Sequence, residues 1–402
     1  MKIAIIGAGA AGMAAAITAA ASGVHQVLLF ERQARVGRKL LATGNGRCNL
    51  TNRQTHPGHY HGNNPEFVRP ALDAFPVDSV LDFFRTLGLY TVTEDGGRVY
   101  PYSDQANSVV DVLRFGLVRR NIRLLTGTEI TAVKRVPQGF QLRDQNGETW
   151  DADRLIVACG GAAGTKLGGS LSGYQLLRSL GHHCTKLYPS LVQLKTDPEL
   201  VRSLKGVRAN AALKLTVRDA VIATARGEVQ FTDYGISGPA VFELSRAAST
   251  ASDTVLHLDL LPGYREDDLL SALCIRISRF PALLAEDLLT GILHNRLGRV
   301  LVKSCGISLN TPLTSLNWKQ LNSVIAACRE LPLTVIGTMG MEGAQVTAGG
   351  IVTMEFDPKT LQSRIVPGLY AAGEVLDVDG DCGGYNLQWA WSSGLLAGQL
   401  KE

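Results

Sequence analysis

What this chain lacks narrows its possible roles before any motif is read. Its seven cysteines include no C-x-x-C pair, so neither a disulfide framework nor a zinc knuckle is expected. No apolar run approaches the ~20 residues of a bilayer-spanning helix. The longest, Met13 to Ala21, is short and dominated by alanine. The strand-like opening "KIAIIG" has no signal-peptide architecture. Nucleophile-elbow and Walker A patterns are missing as well. Only "GHHCTK" (Gly181 to Lys186) hints at metal ligands. Neighbours on a strand point to opposite faces, so His182 and His183 are not expected to chelate together and no metal site is expected. The chain reads as a reduced, cytoplasmic protein without a membrane segment.

Charge is also sparse, at 19% of residues against 45% hydrophobic, which excludes a disordered chain. A length of 402 residues allows two or three domains at ~150 residues each. Acids are nearly absent from one place. Residues 1–53 hold seven Lys or Arg and a single acid, Glu31, whereas the other 349 hold 33 basic and 35 acidic residues. The positive excess therefore sits near one segment, where it suits a bound anion or a polyanionic partner.

What is present at the start is a nucleotide cradle. The apolar run passes into Gly7-x-Gly9-x-x-Gly12, then an Ala-rich helical stretch that Gly23 stops, then a second buried strand, "HQVLLFE", ending at Glu31. Strand, glycines, helix, strand and acid together form the dinucleotide fingerprint in its required context. Gly7 permits the tight turn, Gly9 lets backbone approach a pyrophosphate, and Gly12 lets helix and strand pack closely. Ala10 and Ala11 open the helix, whose free N–H groups and positive end suit phosphates. Glu31 is placed to accept from ribose hydroxyls and would repel a 2′-phosphate, which favours FAD or NAD over NADP at this first site. A dehydrogenase would continue with regular βα alternation. Here the pattern breaks at once into "RKLLATGNGRCNLTNR" (Arg38 to Arg53), which carries four cations, three Asn and no acid. Such a segment lines a flavin, so the reading is FAD, with Arg32, Arg38, Lys39, Leu40, Thr43, Asn45 and Gly46 as expected contacts.

Two later stretches read as parts of the same pocket. "DRLIVACGGAAG" is a buried strand ending at Cys159, Gly160 and Gly161, where backbone can cross close to the cofactor. "GLYAAGE" ends at Gly373 and Glu374, whose carboxylate is placed for a ribityl hydroxyl. "GGYNLQWAWSSGLLAG" begins a helix at paired glycines, so Gly384, Tyr385, Asn386 and Leu387 would meet the flavin pyrimidine edge and stabilise charge on the reduced ring.

The chain resembles the HI0933-like NAD(P)/FAD-dependent oxidoreductases. This bacterial flavoprotein family contains bile-acid 3-oxo-Δ-reductases, ribosomal-RNA dihydrouridine synthases and aminoacetone oxidase-like members. The matching stretches are "GAGAAGMAAA", "GRKLLATGNGRCNLTN", "GRVYPYSDQA", "GEVQFTDYGISGPAVFELS", "VTAGGI" and "VPGLYAAGEVLDVDGDCGGYNLQWAWSSG". They run from near residue 3 to near residue 398. "TGNGRCNLTN" and "GGYNLQWAWSSG" are the specific ones; Cys382 is a local departure without consequence.

The expected fold class is α/β: a Rossmann-like FAD domain built from both chain ends, 1–188 and 345–402. An antiparallel, barrel-like β domain, 189–262 and 332–344, interrupts it and itself carries a helical insertion, 263–331. The resemblance implies the same three-part layout. "LVQLKT", "AALKLTVRD", "EVQFTD" and "TVLHLDL" alternate as strands, and "GPAVFELSRAAS" reads as a helix. "EDDLLSALCIRIS", "LLAEDLLTGILHNRL" and "WKQLNSVIAACREL" show helical periodicity. "LTVIGT" and "AQVTAGGIVTMEF" return to strand.

The resemblance implies hydride addition to a polarised carbon–carbon double bond, with NADH or NADPH as donor. That chemistry needs a donor at the carbonyl oxygen and an acid for the other carbon. Arg47, Asn45 and Asn49 are candidate donors. Cys48 is the candidate acid, its thiol expected to be lowered by the surrounding cations; packing of the loop is weighed above that role, because cysteine is so often buried. Tyr234, Ser237, Tyr385 and Asn386 are weaker candidates for a substrate wall. The substrate is a small enone or a uridine of ribosomal RNA. An FAD oxidase of a small amine and a non-enzymatic, flavin-stabilised RNA-binding protein are the competing readings. Oligomeric state is not encoded in any motif.

Overall fold

Continuous apolar runs such as IAII and VLLF suit strands buried on both faces. The computed structural model, which describes residues 1–401, uses them that way. Five parallel strands form one sheet in the order Leu369–Ala371, Arg154–Val157, Lys2–Ile6, Gln26–Glu31 and Arg123–Thr126. The opening strand lies at the centre, with Ile3, Ala4 and Ile5 fully buried. Both chain ends thus enter a single sheet, and one compact unit comprises Met1–Tyr188 with the stretch from Gln345 onward.

The two ends also meet through helices. The opening helix, Ala10–Ala19, packs along the C-terminal helix, Tyr385–Gly398. Small residues permit the approach. A Cβ on Gly394 would lie 2.4 Å from the Ala11 carbonyl oxygen, and one on Gly398 would lie 2.6 Å from that of Ala15. Both helices are apolar nearly all round, as helices covered on every side must be.

The second unit is Pro189–Ala344. Six antiparallel strands close into a barrel in the order Leu194–Thr196, Gly235–Ser237, Ala220–Phe231, Arg208–Val217, Thr254–Asp259 and Leu331–Thr338. The last strand pairs back onto the first, so no edge is left open. Alternation does the folding here. Leu213, Leu215, Leu256 and Leu258 point inward while their neighbours reach solvent. Helices Pro239–Thr250, Glu266–Arg279, Asn295–Ser304 and Trp318–Arg329 add Leu244, Leu273, Leu301 and Val324 to the same core. One apolar cluster therefore serves the strands and the inserted helices alike.

Local differences from the sequence reading have local causes. "LLAEDLLTGILHNRL" is not one helix. Gly291 takes a left-handed φ of 79°, and the His294 ring accepts the Arg296 N–H, which starts the helix only at Asn295. "AQVTAGGIVTMEF" yields only the strand Val346–Ala348, because Gly349 turns at φ 90° against the Lys186 carbonyl. No helix among the described residues is long and apolar enough to cross a membrane.

Candidate functional site

The Gly7–Gly12 turn separates two kinds of glycine. A Cβ on Gly7 would lie 2.4 Å from the Ala158 carbonyl oxygen, and one on Gly12 would lie 1.8 Å from that of Gly7. These two hold strand and helix together. A Cβ on Gly9 would meet no atom within 4 Å. Gly9 is also the N-cap of the opening helix, and no side chain caps that end. The helix-start N–H groups around Ala10 and Ala11 thus face open space, where an anion would be bound by dipole and donors together. Gly160 likewise has free space around its Cβ position. A diphosphate fits these residues.

Glu31 closes the second strand as expected, but its carboxylate also works within the fold. One oxygen accepts the Ala8 N–H at 2.9 Å and the other accepts the Gln33 N–H at 2.8 Å. Each oxygen can accept a further bond, so a ribose partner is compatible with this role.

The Arg38–Arg53 segment is more regular than a loop. It forms a short helix, Arg38–Ala42, a 3-10 turn, Thr43–Gly46, and a strand, Thr51–Asn52. Gly44, Asn45, Gly46 and Cys48 all have left-handed φ, between 56° and 86°. For Asn45 and Cys48 this costs on the order of 1–3 kcal/mol each. The surroundings impose it: Cys48 N–H donates to the Thr43 carbonyl, and Trp391 of the C-terminal helix donates its indole N–H to the Leu50 carbonyl at 2.9 Å. Thr51 likewise donates its hydroxyl to Gln388.

This geometry overturns the expected lowering of the Cys48 thiol and agrees with its packing role. The thiol is fully buried, and burial pushes it up to about 12 despite a hydrogen bond with Thr43. Cations do not lower it because they are engaged elsewhere. Arg47 pairs with Glu94 and Asp104 and lies 4.1 Å over the Tyr100 ring. Arg53 pairs with Asp78, and Lys39 with Glu374 at 2.6 Å. Arg32 donates to the Gly168 carbonyl at 2.8 Å, and Arg38 donates to Gln33 and to the Lys166 carbonyl. Five of the seven basic residues before position 54 are therefore spent inside the fold rather than gathered into a free patch. Cys48 packs the loop.

Asn49 differs from its neighbours. Its side-chain oxygen is buried with no hydrogen-bond partner, beside the Gly383–Gly384 turn that starts the C-terminal helix. Gly384 takes φ 104° there, and no side chain caps this helix either. The structure thus brings Asn45, Asn49 and a second free helix end into one corner. Leu40 is buried against that region, and Thr43 turns its hydroxyl onto the Leu40 carbonyl.

Cys159 follows the strand Arg154–Val157, and burial raises its thiol to about 12. Beyond it, a Cβ on Gly161 would lie 2.4 Å from a Glu374 oxygen and from the Thr347 hydroxyl. Glu374 accepts from the Thr347 N–H at 2.9 Å as well as from Lys39, and Gly373 N–H donates to Ser393. Thr347 in turn accepts the Ala163 N–H. Thr347, within "VTAGGI", thus ties these strand ends together, a role that no sequence motif announces. Asn386 also proves to be a clamp: it exchanges hydrogen bonds with both the N–H and the carbonyl of Gly380. Leu387 is half-buried in the same helical turn. Tyr234 and Ser237 belong to the second unit, where they serve barrel pairing.

Two histidine pairs complete the inventory. His182 and His183 lie in a turn, not a strand, and both reach Glu355, at 2.9 and 2.7 Å. The expected opposition of their side chains is thereby overturned. His182 is buried, also bonded to Ser363, and burial holds its imidazole below the ordinary value. The second pair went unread. His59 and His61 flank Asp381, one on each carboxylate oxygen, at 3.0 and 2.7 Å. The H-x-H spacing was the available signal, although His59 ends a 3-10 turn, Pro57–His59, and only His61 lies on the strand Tyr60–His61. No group of three or more His, Cys, Asp or Glu among the described residues is arranged to hold a metal.

Comparison with known proteins agrees with this geometry. The family model described as HI0933-like protein Rossmann domain matches residues 1–400. A 3-dehydro-bile acid delta(4,6)-reductase of Clostridium scindens is 42% identical over 99% of this chain and 98% of its own. A ribosomal RNA dihydrouridine synthase of Escherichia coli is 33% identical over 98% of this chain and 96% of its own. Among solved structures, a 3-ketosteroid delta1-dehydrogenase from Sterolibacterium denitrificans shares the fold. Its TM-score is 0.51 at 13% identity, over 99% of this chain and 98% of its own.

Proposed function

The chain belongs to the HI0933-like family of Rossmann-domain flavoprotein oxidoreductases, and from that premise we propose that it is an FAD-dependent, NAD(P)H-driven reductase of a steroid- or bile-acid-like enone. The observation that carries this reading is the end-to-end relationship to the bile-acid reductase. Gly7, Gly9, Ala10, Ala11 and Gly12 would hold the FAD pyrophosphate, with Glu31 at a ribose. The Asn45–Asn49 turn and the start of the C-terminal helix would meet the flavin. Bound FAD supplies a two-electron carrier between the nicotinamide and the enone.

The chain's own residues then have distinct tasks. The uncapped end of the C-terminal helix offers N–H donors and a positive dipole to charge that develops during reduction. The Asn45 and Asn49 amides can donate to a carbonyl oxygen of the ring or the substrate. Trp391, Gln388 and Thr51 fix the backbone that carries Asn49, so the amide is oriented before substrate arrives.

A second reading is favoured by the dihydrouridine synthase relative. The C5=C6 bond of uracil is also conjugated with a carbonyl, so the same redox step would serve. A base in folded RNA must first be extruded. The internal pairing of Arg32, Arg38, Lys39, Arg47 and Arg53 gives this reading no electrostatic support.

The test is anaerobic. Flavin-loaded protein mixed with NADH or NADPH should bleach rapidly, and a 3-oxo steroid with conjugated double bonds at C4 and C6 should restore the colour and gain two mass units. Rapid reduction by an amine with slow bleaching by nicotinamides would instead indicate an amine oxidase. Loss of a ribosomal-RNA dihydrouridine on gene deletion, with steroids inert, would transfer the assignment to RNA. Folded protein that takes up no FAD would end all three.

A further inference from the structure

The proposed reduction needs an acid, and the sequence's candidate, Cys48, is sealed inside its loop. Arg47, Lys39 and Glu374 are committed to ion pairs. The remaining ionisable cluster beside the C-terminal helix is His59–Asp381–His61. It is built by backbone pairing: strand Tyr60–His61 runs antiparallel to Asp379–Gly380, and Asp381 N–H donates to the His59 carbonyl at 2.9 Å. Asp381 bridges the two imidazoles, which leaves His59 Nε2 and His61 Nδ1 without protein partners. The His59 ring is stacked on Tyr385, the first residue of the C-terminal helix, at 4.1 Å between centroids and 17° between planes. Both imidazoles are about one-third exposed (34% and 37%), so water can reload them.

We propose that His59 is the proton donor of the reaction, held by Asp381, which His61 braces from its other carboxylate oxygen. The inference rests on the enone-reductase reading. In the step, the C=C π bond breaks as the β-carbon takes the hydride that originates on NAD(P)H. The α-carbon takes the proton from His59 Nε2, leaving a neutral imidazole. Nε2 is refilled directly from solvent, because the His59 ring is partly exposed while its Nδ1–H stays bonded to Asp381, so each turnover consumes one NAD(P)H and one proton. Histidine suits this work because it can carry and release a proton near neutral pH. Asp381 stays an anion. Burial pushes its carboxyl up, but hydrogen bonds from His61 and His59 outweigh that and hold it below the ordinary value. The other ionisable groups of this corner are Tyr60, Tyr385, Asp377, Asp379, Cys382 and His56, with Glu66 paired to Arg69 in the next turn. Burial pushes the Tyr60 hydroxyl up, out of the titrating range.

The experiment separates the two half-reactions in full-length, flavin-loaded protein. For His59→Gln, bleaching by NAD(P)H and flavin content should match wild type. Reoxidation by the 3-oxo-4,6-diene steroid should slow by ~10²–10⁴-fold, as for loss of a general acid. His61→Gln should slow it less and shift the pH profile. Reoxidation within about threefold of wild type in His59→Gln would overturn the proposal while leaving the reductase reading intact. A wild-type protein inert to enones and uridine alike would remove both. A second readout needs no turnover. In flavin-free protein, 15N NMR should show neutral His59 held as the Nδ1–H tautomer in wild type and as a mixture of tautomers in Asp381→Asn. A mixture of tautomers already in wild type would overturn the role given to Asp381.

Discussion

Gly9 and Gly12 stand three residues apart in one motif, yet the structure predicts opposite consequences for adding a methyl group to each. At Gly12 the new Cβ would fall 1.8 Å from a backbone oxygen that cannot move without opening the strand–helix turn. Overpacking of this kind costs about 1–3 kcal/mol. In a unit of this size each kcal/mol is worth about 2–4 °C, so Gly12→Ala should melt ~2–12 °C lower in flavin-free form. At Gly9 the Cβ meets nothing within 4 Å, and the backbone φ of −85° suits alanine. Gly9→Ala should therefore melt with wild type. What it loses is the close approach of a diphosphate to the helix end. One charge-assisted hydrogen bond is worth about 1.5–3 kcal/mol, which corresponds to ~10- to 150-fold weaker FAD binding. Circular dichroism melts of stripped protein and flavin fluorescence quenching on reloading measure the two effects separately. Wild-type FAD affinity in Gly9→Ala, or a wild-type melting point in Gly12→Ala, would refute the assignment of these glycines.

Other expectations follow from the same structure. Glu31→Ala should emerge from purification short of FAD while staying folded, and full occupancy would contradict a ribose contact. Cys48→Ser should keep steroid-driven reoxidation within a few-fold of wild type, and native protein at pH 8 should not alkylate at Cys48; rapid labelling there would contradict its burial. Stability should fall on acidification around Glu355. Burial lowers the His182 imidazole in the fold, so the unfolded chain binds the extra proton first. That stabilisation is complete above the unfolded value near 6.5 and is lost as pH drops below it. Glu355, held below its ordinary value by His183 and His182 against the effect of its own burial, adds loss in the same direction at lower pH. Melting points from pH 7.5 to 5 should decline, and less steeply in His182→Asn; a flat profile would contradict the assignment.

Much of this architecture is legible in sequence because it is written in backbone terms. Glycine spacing, continuous apolar strands and alternating barrel strands each follow from local sterics and burial, and the structure carries them where they were expected. The side-chain economy was not legible. Nothing near Arg47 in the chain announces Glu94 and Asp104, because those partners arrive through tertiary pairing of Thr51–Asn52 with Arg98–Pro101. The basic excess of the first 53 residues looked like a surface property for the same reason. Packing of the loop by Cys48 was readable from sequence, but the expected lowering of its thiol fails because desolvation, not nearby charge, controls that position. His59 and His61 were passed over because Asp381 lies 320 residues or more away.

The contact of Gly394 and Gly398 with Ala11 and Ala15 has a consequence for how the protein is made. A ribosome adding ~5–20 residues per second needs roughly 20–75 s to go from the nucleotide motif to the helix that covers it. Throughout that interval the opening helix lies bare on one side, and the strand Arg154–Val157, once made, lacks its outer neighbour until Leu369–Ala371 is added. Nascent chains are thus exposed to chaperones and to premature association for most of their synthesis. Chains cut short before residue 385 would leave the opening helix uncovered.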